Sequence, residues 1–228
     1  METIAIVVAA GRGLRAGGVV PKQYQMSNGS PMLSLTIKAL LESTKIDGIM
    51  VVINPLDEEL YLDSTKNIDN TRLLKYCFGG AERSGSVEKG LKECKQYNPK
   101  NVLIHDAARP FLSTVLINRI IESLKFNEAV FPVLPIVDAL WEKTGKHQSM
   151  LNAGVKPGPN RDKFLMAQTP QGFNYLTICL AYSKLKKSVL DDITVAYEFG
   201  IDISTVSGEV NNIKITSEQD IKQFKGIT

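Results

Sequence analysis

The stretch VVAAGRGLRAGGVVPKQY, residues 7–24, runs an apolar strand into a glycine-rich loop that carries Arg12, Arg15 and then Lys22. Glycines after a strand let a phosphate approach backbone N–H groups closely, and fixed cations beside them supply further positive charge. Further on, GGAERSGSV (79–87) sets two glycines before a helical pattern, and HDAARP (105–110) ends an apolar run on Asp106. A carboxylate at the end of a buried strand is costly unless it meets a cation or hydrogen-bond donors. Magnesium suits it, because that ion takes one or two carboxylates together with phosphate oxygens and waters. Glycines, cations and a lone carboxylate together point to phosphate chemistry.

Three phosphate loops compete for the first stretch. The P-loop needs Gly-Lys-Ser/Thr, and no such run occurs here. Gly11, Gly13 and Ala16 satisfy a relaxed dinucleotide fingerprint, which also expects an acid at the end of the second strand. That position reads VVINP, with Asn54 in place of the acid. A nucleotidyltransferase accounts for more of the residues. In that reaction an α-phosphoryl group moves and pyrophosphate leaves, so Arg15 and Lys22 would gather charge where the five-coordinate phosphorus becomes more negative. The nucleophile, a substrate phosphate oxygen, is already anionic at neutral pH and needs no general base. The lack of a Ser-His-Asp or Cys-His set therefore fits, and His105 reads as structural.

These residues must be held by an α/β frame. TIAIVVA (3–9), GIMVVIN (48–54), NVLIHD (101–106) and AVFPVLPI (129–136) read as strands buried on both faces. Between them Leu33, Ile37, Leu40 and Leu41 fall at helical spacing, as do Val87, Leu91 and Cys94, and Val115, Ile117, Ile120, Ile121 and Leu124. The alternation predicts βαβ units and a mostly parallel sheet with helices on both faces. The glycine loop and HDAARP both lie at strand ends, which predicts one shared crevice. From residue 137 the chain turns polar and turn-rich, the pattern of a projecting hairpin or a surface excursion. Helical patterns return at 174–187 and 192–199, NIKIT (212–216) reads as a short strand, and Ser217 with Asp220 forms a capping box.

The 228 residues suit a single domain, and a net charge of +3 is too small to argue for nucleic acid or an anionic membrane. Cys77, Cys94 and Cys179 show no C-x-x-C pair, which argues against a disulfide framework or a structural zinc. The apolar N-terminal run is too short for a membrane span and lacks the basic start of a signal peptide, so a cytoplasmic protein is expected.

AAGRGLR…PKQY, GGAERSGSV, HDAARP, TPQGF, DDITVAYEFG and NIKIT, in that order, resemble the cytidylyltransferases that activate sugar-alcohol phosphates. Among these the chain is most similar to the 2-C-methyl-D-erythritol 4-phosphate cytidylyltransferase family of the non-mevalonate isoprenoid pathway. The resemblance implies a Rossmann-like three-layer nucleotidyltransferase fold with a projecting β-arm. It also implies magnesium-dependent transfer of CMP from CTP to the polyol phosphate. Arg15 and Lys22 would stabilise the transition state. Ala9, Ala10, Gly11, Gly13, Gly80, Arg83 and Ser86 would bind the nucleotide, and Asp106 the metal. Arg161, Lys214, Arg109 and Thr169 would position the acceptor, Thr169 as a hydroxyl donor. Arg12 lies where the family varies and is expected to be a solvated charge. The irregular segment, 137–160, would be an arm that embraces a second subunit, making a homodimer in which Arg109 and Arg161 serve the partner's substrate.

The chain departs from the family pattern at three places. Ala139 and Leu190 stand where the family carries substrate-side threonines, and Trp141 stands where a lysine is common. A ribitol 5-phosphate cytidylyltransferase therefore stays open. Two further classes compete: a dinucleotide-dependent oxidoreductase, which Asn54 opposes, and a nucleotide-binding regulator without turnover.

Overall fold

The computed structural model describes residues 1–12, 20–68, 71–144, 154–185 and 189–226. Its centre is strand β1 (Thr3–Ala9), which pairs in parallel with β4 (Gly48–Ile53) on one side and β6 (Asn101–Asp106) on the other. These are the strands whose apolar residues run without alternation, and almost every position in them is buried, as strands covered on both faces require.

Two small strands, β2 (Met26–Ser27) and β3 (Ser30–Pro31), form a separate hairpin before helix α1 (Met32–Leu41). Helix α2 (Glu58–Thr65) follows β4, and β5 (Cys77–Phe78) adds to the sheet edge in parallel with β4. Helix α3 (Arg83–Cys94) leads to β6, and α4 (Thr114–Ser123) to β7 (Ala129–Pro135). The hairpin β8 (Trp141–Thr144) and β9 (Gly154–Pro157) follows, then β10 (Leu165–Ala167) and β11 (Gln171–Asn174). Helices α5 (Tyr175–Ser183) and α6 (Asp192–Glu198), strand β12 (Ile203–Ser207) and helix α7 (Glu218–Gly226) complete the described chain. The main sheet runs β10-β7-β11-β6-β1-β4-β5, with β12 joined to β7 in parallel.

Successive residues of a strand point to opposite faces, and the core divides accordingly. Ala5, Val7, Ile49 and Val51 pack toward α1 and α4, against Leu33, Ile37 and Ile117. Ile4, Ile6, Met50 and Val52 pack toward α3, α5 and α6, against Val87, Leu91, Ile178 and Val195. The result is a three-layer α/β fold with a mostly parallel mixed sheet.

Several sequence expectations are corrected. NIKIT forms no strand: Ile215 N–H bonds the Ala108 carbonyl, so its backbone is spent on the turn after β6 rather than on a ladder. Strands β10 and β11 enter antiparallel, and β12 enters between helices; none of the three was expected. The capping box at α7 forms as read, since the Ser217 hydroxyl accepts Asp220 N–H and the Asp220 carboxylate accepts Ser217 N–H. No helix among the described residues is long and apolar enough to cross a membrane.

Candidate active site

Three strands of the sheet end at one cleft, as parallel topology directs. Beyond β1 lie Ala9, Ala10 and Gly11; beyond β5, Gly80 and the start of α3; and at the end of β6, Asp106. Arg83, Ser86, Lys22 and Lys214 line the same cleft. Gly13 and Arg15 lie outside the described residues.

The glycines after β5 answer a steric need. A Cβ on Gly79 would sit 2.5 Å from the Ala10 Cβ and 2.7 Å from the Ser86 hydroxyl, so the loop, α3 and the end of β1 approach closely only because it is absent. The Ser86 hydroxyl accepts Gly80 N–H at 3.1 Å and donates to the Glu82 carbonyl at 3.0 Å, which fixes the turn into α3. Gln23 gives the first loop its anchor: its amide donates to the carbonyls of Ala9 at 2.7 Å and Gly11 at 2.9 Å. Within PKQY nothing local marks Gln23 for this anchoring role, which only the fold reveals.

Electrostatics converge on Asp106, which is buried. Its Oδ1 lies 3.3 Å from Arg83 Nε; its Oδ2 lies 2.8 Å from Lys214 Nζ and 4.0 Å from Arg109 Nε. Burial works against its charge, but Arg83 and Lys214 outweigh that and hold the carboxyl well below the usual carboxylate range. Arg83 also reaches a second acid, with Nη2 2.8 Å from Asp192 Oδ2. Asp192 is fully buried, its other oxygen accepts the Tyr182 hydroxyl at 2.5 Å, and its own N–H is taken by Gln171 Oε1. Burial disfavours the Arg83 charge, yet Asp192 and Asp106 hold its proton on more firmly than usual. Lys22 Nζ donates to the Ile215 carbonyl at 2.8 Å, one residue beyond Lys214. Arg83, Lys214 and Arg109 thus gather around Asp106, with Lys22 tied in beside Lys214, a concentration of cations suited to a polyanion.

Thr169 does not offer a free donor. His105 Nε2 lies 3.1 Å from the Arg109 carbonyl, which only accepts, so Nε2 carries the hydrogen and Nδ1 of the neutral ring is an acceptor. Thr169 Oγ1 sits 3.0 Å from that Nδ1 and accepts Asp106 N–H at 3.1 Å, so its single hydrogen goes to His105. Burial keeps the imidazole neutral by pushing it down to about 4. Arg109 is buried too: Nη1 donates to the Asn212 carbonyl at 2.6 Å, while Nε has no hydrogen-bond partner among the described residues.

Arg161 stands apart from these groups, exposed at the base of the hairpin, where it donates to the Val137 carbonyl. Arg12 is not simply solvated, because it lies 3.8 Å from the buried carboxylate of Asp57. Asn54, the residue in place of the dinucleotide acid, uses its side chain to cap the turn after β4 by accepting Leu56 N–H.

No cluster of three metal-ligating side chains occurs among the described residues. Asp106 is a single carboxylate with both oxygens already engaged by cations. Such a donor set fits a magnesium ion that arrives with its own phosphate oxygens, and does not fit a cage built from protein side chains alone.

Comparison with known proteins is consistent across the chain. The family model described as IspD, 2-C-methyl-D-erythritol 4-phosphate cytidylyltransferase, matches residues 3–227. The bifunctional enzyme IspD/IspF of Maricaulis maris is 38% identical over 224 residues, covering 98% of this chain and 56% of the relative. That of Paramagnetospirillum magneticum is 37% identical over 225 residues, again with 98% and 56% covered. This chain therefore spans about half the length of the curated relatives it matches. Among solved structures, the 4-diphosphocytidyl-2C-methyl-D-erythritol synthase of Anaerococcus prevotii has a TM-score of 0.81 at 30% identity, with 99% of this chain and 97% of that chain covered. The 2-C-methyl-D-erythritol 4-phosphate cytidylyltransferase of Thermus thermophilus has a TM-score of 0.76 at 26% identity, with 100% and 98% covered.

Proposed function

The chain belongs to the 2-C-methyl-D-erythritol 4-phosphate cytidylyltransferase family, and on that premise we propose that it transfers CMP from CTP to 2-C-methyl-D-erythritol 4-phosphate. A phosphate oxygen of the acceptor attacks the α-phosphorus of CTP, the bond from that phosphorus to the β-phosphate bridge breaks, and pyrophosphate leaves with the electron pair. The observation that carries this reading is the clustering of Arg83, Lys214 and Arg109 around Asp106 at the ends of β1, β5 and β6.

In this reading the backbone edges of Ala9, Ala10, Gly11 and Gly80 hold the nucleotide, and Gly13, outside the described residues, is assigned the same role. Ser86 fixes the turn that would face the base, and Arg83, at the start of the same helix, is assigned to the nucleotide site with it. Lys22 and Arg15 stabilise charge on the transferring phosphoryl group, and Lys214 and Arg109 draw the acceptor phosphate toward it. Asp106 would give one carboxylate to a magnesium ion carried by the nucleotide, exchanging part of its contact with Lys214. When bound, that ion neutralises charge on the triphosphate.

A homodimer belongs to the same proposal. Val137, Trp141, Val155, Phe164, Leu165 and Met166 are all exposed in and around the hairpin and the following strand, apolar surface that a second copy would cover. The arm read as 137–160 has its outer part, 145–153, outside the described residues. Arg161, at its base, would then reach the partner's acceptor. The three cysteines are free thiols, which accords with a cytoplasmic setting.

Pyrophosphate release measured across the four nucleoside triphosphates, with 2-C-methyl-D-erythritol 4-phosphate and ribitol 5-phosphate as acceptors, tests the reading. CTP-dependent release with the erythritol acceptor is expected. Release only with ribitol 5-phosphate would reassign the acceptor, and CTP binding without release would favour a regulator.

A further inference from the structure

We infer that His105 and Thr169 form a buried clamp that positions Asp106 and Arg109, with neither side chain touching substrate. Both are almost fully enclosed, at 0% and 4% exposure. Their hydrogen bonds run in one direction: His105 Nε2–H to the Arg109 carbonyl, Thr169 Oγ1–H to His105 Nδ1, and Asp106 N–H to Thr169 Oγ1. Each hydrogen is used once, so none is left for a ligand.

The chain of bonds closes on the turn 106–109, which Arg109 N–H also joins to the Asp106 carbonyl at 3.1 Å. The clamp therefore holds both ends of a turn whose first and last side chains belong to the cation cluster. Thr169 extends the same frame to the last part of the site. Its carbonyl accepts the Asn212 side-chain amide at 2.9 Å, and the Asn212 carbonyl accepts Arg109 Nη1. Lys214 follows two residues later and meets Asp106. One buried residue thus joins Asp106 and Arg109, through its hydroxyl and His105, to the segment carrying Lys214, through its carbonyl. Loss of such positioning is felt in rate, since a displacement near 1 Å costs on the order of 100-fold.

The inference rests on the proposed cytidylyl transfer for its kinetic consequence, while the clamp itself has a readout without turnover. In the wild type, the ¹⁵N spectrum of the His105 imidazole should show Nε2 protonated and Nδ1 bare. Thr169→Val should shift the Nδ1 signal and lower kcat by about 10- to 100-fold, with the KM for CTP moving less than about threefold, whereas Thr169→Ser should stay near wild type. His105→Asn places an acceptor where Nδ1 stood and should retain much of the rate. His105→Gln reaches only the Arg109 carbonyl and should behave as Thr169→Val does. The double variant His105→Gln/Thr169→Val should lose no more than either single one, the mark of groups acting as a unit. Additive losses, a wild-type rate in Thr169→Val, or a resting Nδ1–H ring would each overturn the clamp. Thermal unfolding of each variant separates a lost fold from a lost position. Should the wild type release no pyrophosphate from CTP, the activity reading falls, and the imidazole spectra alone decide the clamp.

Discussion

Lys22 and Ile215 are joined by a 2.8 Å hydrogen bond from the Lys22 ammonium to the Ile215 carbonyl. The cation after the first loop is thereby tied to the segment that carries Lys214, although the two lie at opposite ends of the sequence. A charged group held beside the cleft stabilises negative charge that grows during reaction, and acts on kcat more than on binding. Lys22→Ala should lower turnover by at least about 100-fold, read as steady-state pyrophosphate release. A rate near that of the wild type would take Lys22 out of the chemistry.

Arg83 bridges Asp106 and the fully buried Asp192. Replacing it by methionine keeps most of the volume and leaves Asp192 with the Tyr182 hydroxyl but no cation. Removing one partner of a buried ion pair costs about 3–5 kcal/mol, so Arg83→Met should lose stability of that order in urea unfolding. A loss under about 1 kcal/mol would mean that Asp192 is satisfied without Arg83.

His105 predicts a pH dependence of stability. Its folded value is pushed by burial from 6.5 down to about 4. As pH falls through 6.5 the unfolded chain takes up this proton and the folded chain does not, so unfolding becomes easier. The contribution is complete above pH 6.5, declines between 6.5 and about 4, and is flat below. The total corresponds to roughly 3 kcal/mol. Unfolding of wild type and His105→Asn, compared across that range, should show this slope in the wild type alone; parallel curves would count against a neutral buried imidazole.

Gly79→Ala should push the start of α3 away from Ala10, because the added Cβ would lie 2.5 Å from the Ala10 Cβ. Overpacking of this kind costs about 1–3 kcal/mol. Since the displaced turn presents Gly80, the KM for CTP should rise as well. Unchanged stability and KM would show that this approach has slack.

The strands that build the cleft were legible because their chemistry is one-sided: β1, β4 and β6 are apolar at nearly every position, and burial on both faces is the only use for such runs. Strand β12, with the sequence ISTVS, has its two strongly apolar residues three apart rather than alternating and lies at the sheet margin, so nothing local separates it from a surface loop. In the site, Asp106 was legible as a carboxylate at a buried strand end, Arg83 and Lys214 only through the family resemblance, and the structure brings the three into contact. Their other partners were not legible. Asp191 and Asp192 are adjacent acids, yet Asp191 caps α6 by accepting Thr194 N–H while Asp192 turns inward to Arg83. Thr169 is a donor to substrate in what the resemblance implies, and its residue type permits it. Only the tertiary register, which sets His105 against it, decides where its hydrogen goes.

The dispersed origin of the cluster has a consequence for biosynthesis. A chain leaving the ribosome presents Ala9–Gly11 first, then Arg83 and Asp106, while Asp192 and Lys214 follow more than 80 residues later. Until then Arg83 lacks its buried counter-ion and Asp106 lacks the lysine that meets it at 2.8 Å. Strands β1, β4 and β6 are translated by residue 106, whereas the charge pattern of the cleft is complete only once Lys214 has been added. In the proposed assignment the nucleotide cradle is thus translated well before Lys214, the cation that would draw the acceptor, and a chain stalled between them would carry the first without the second.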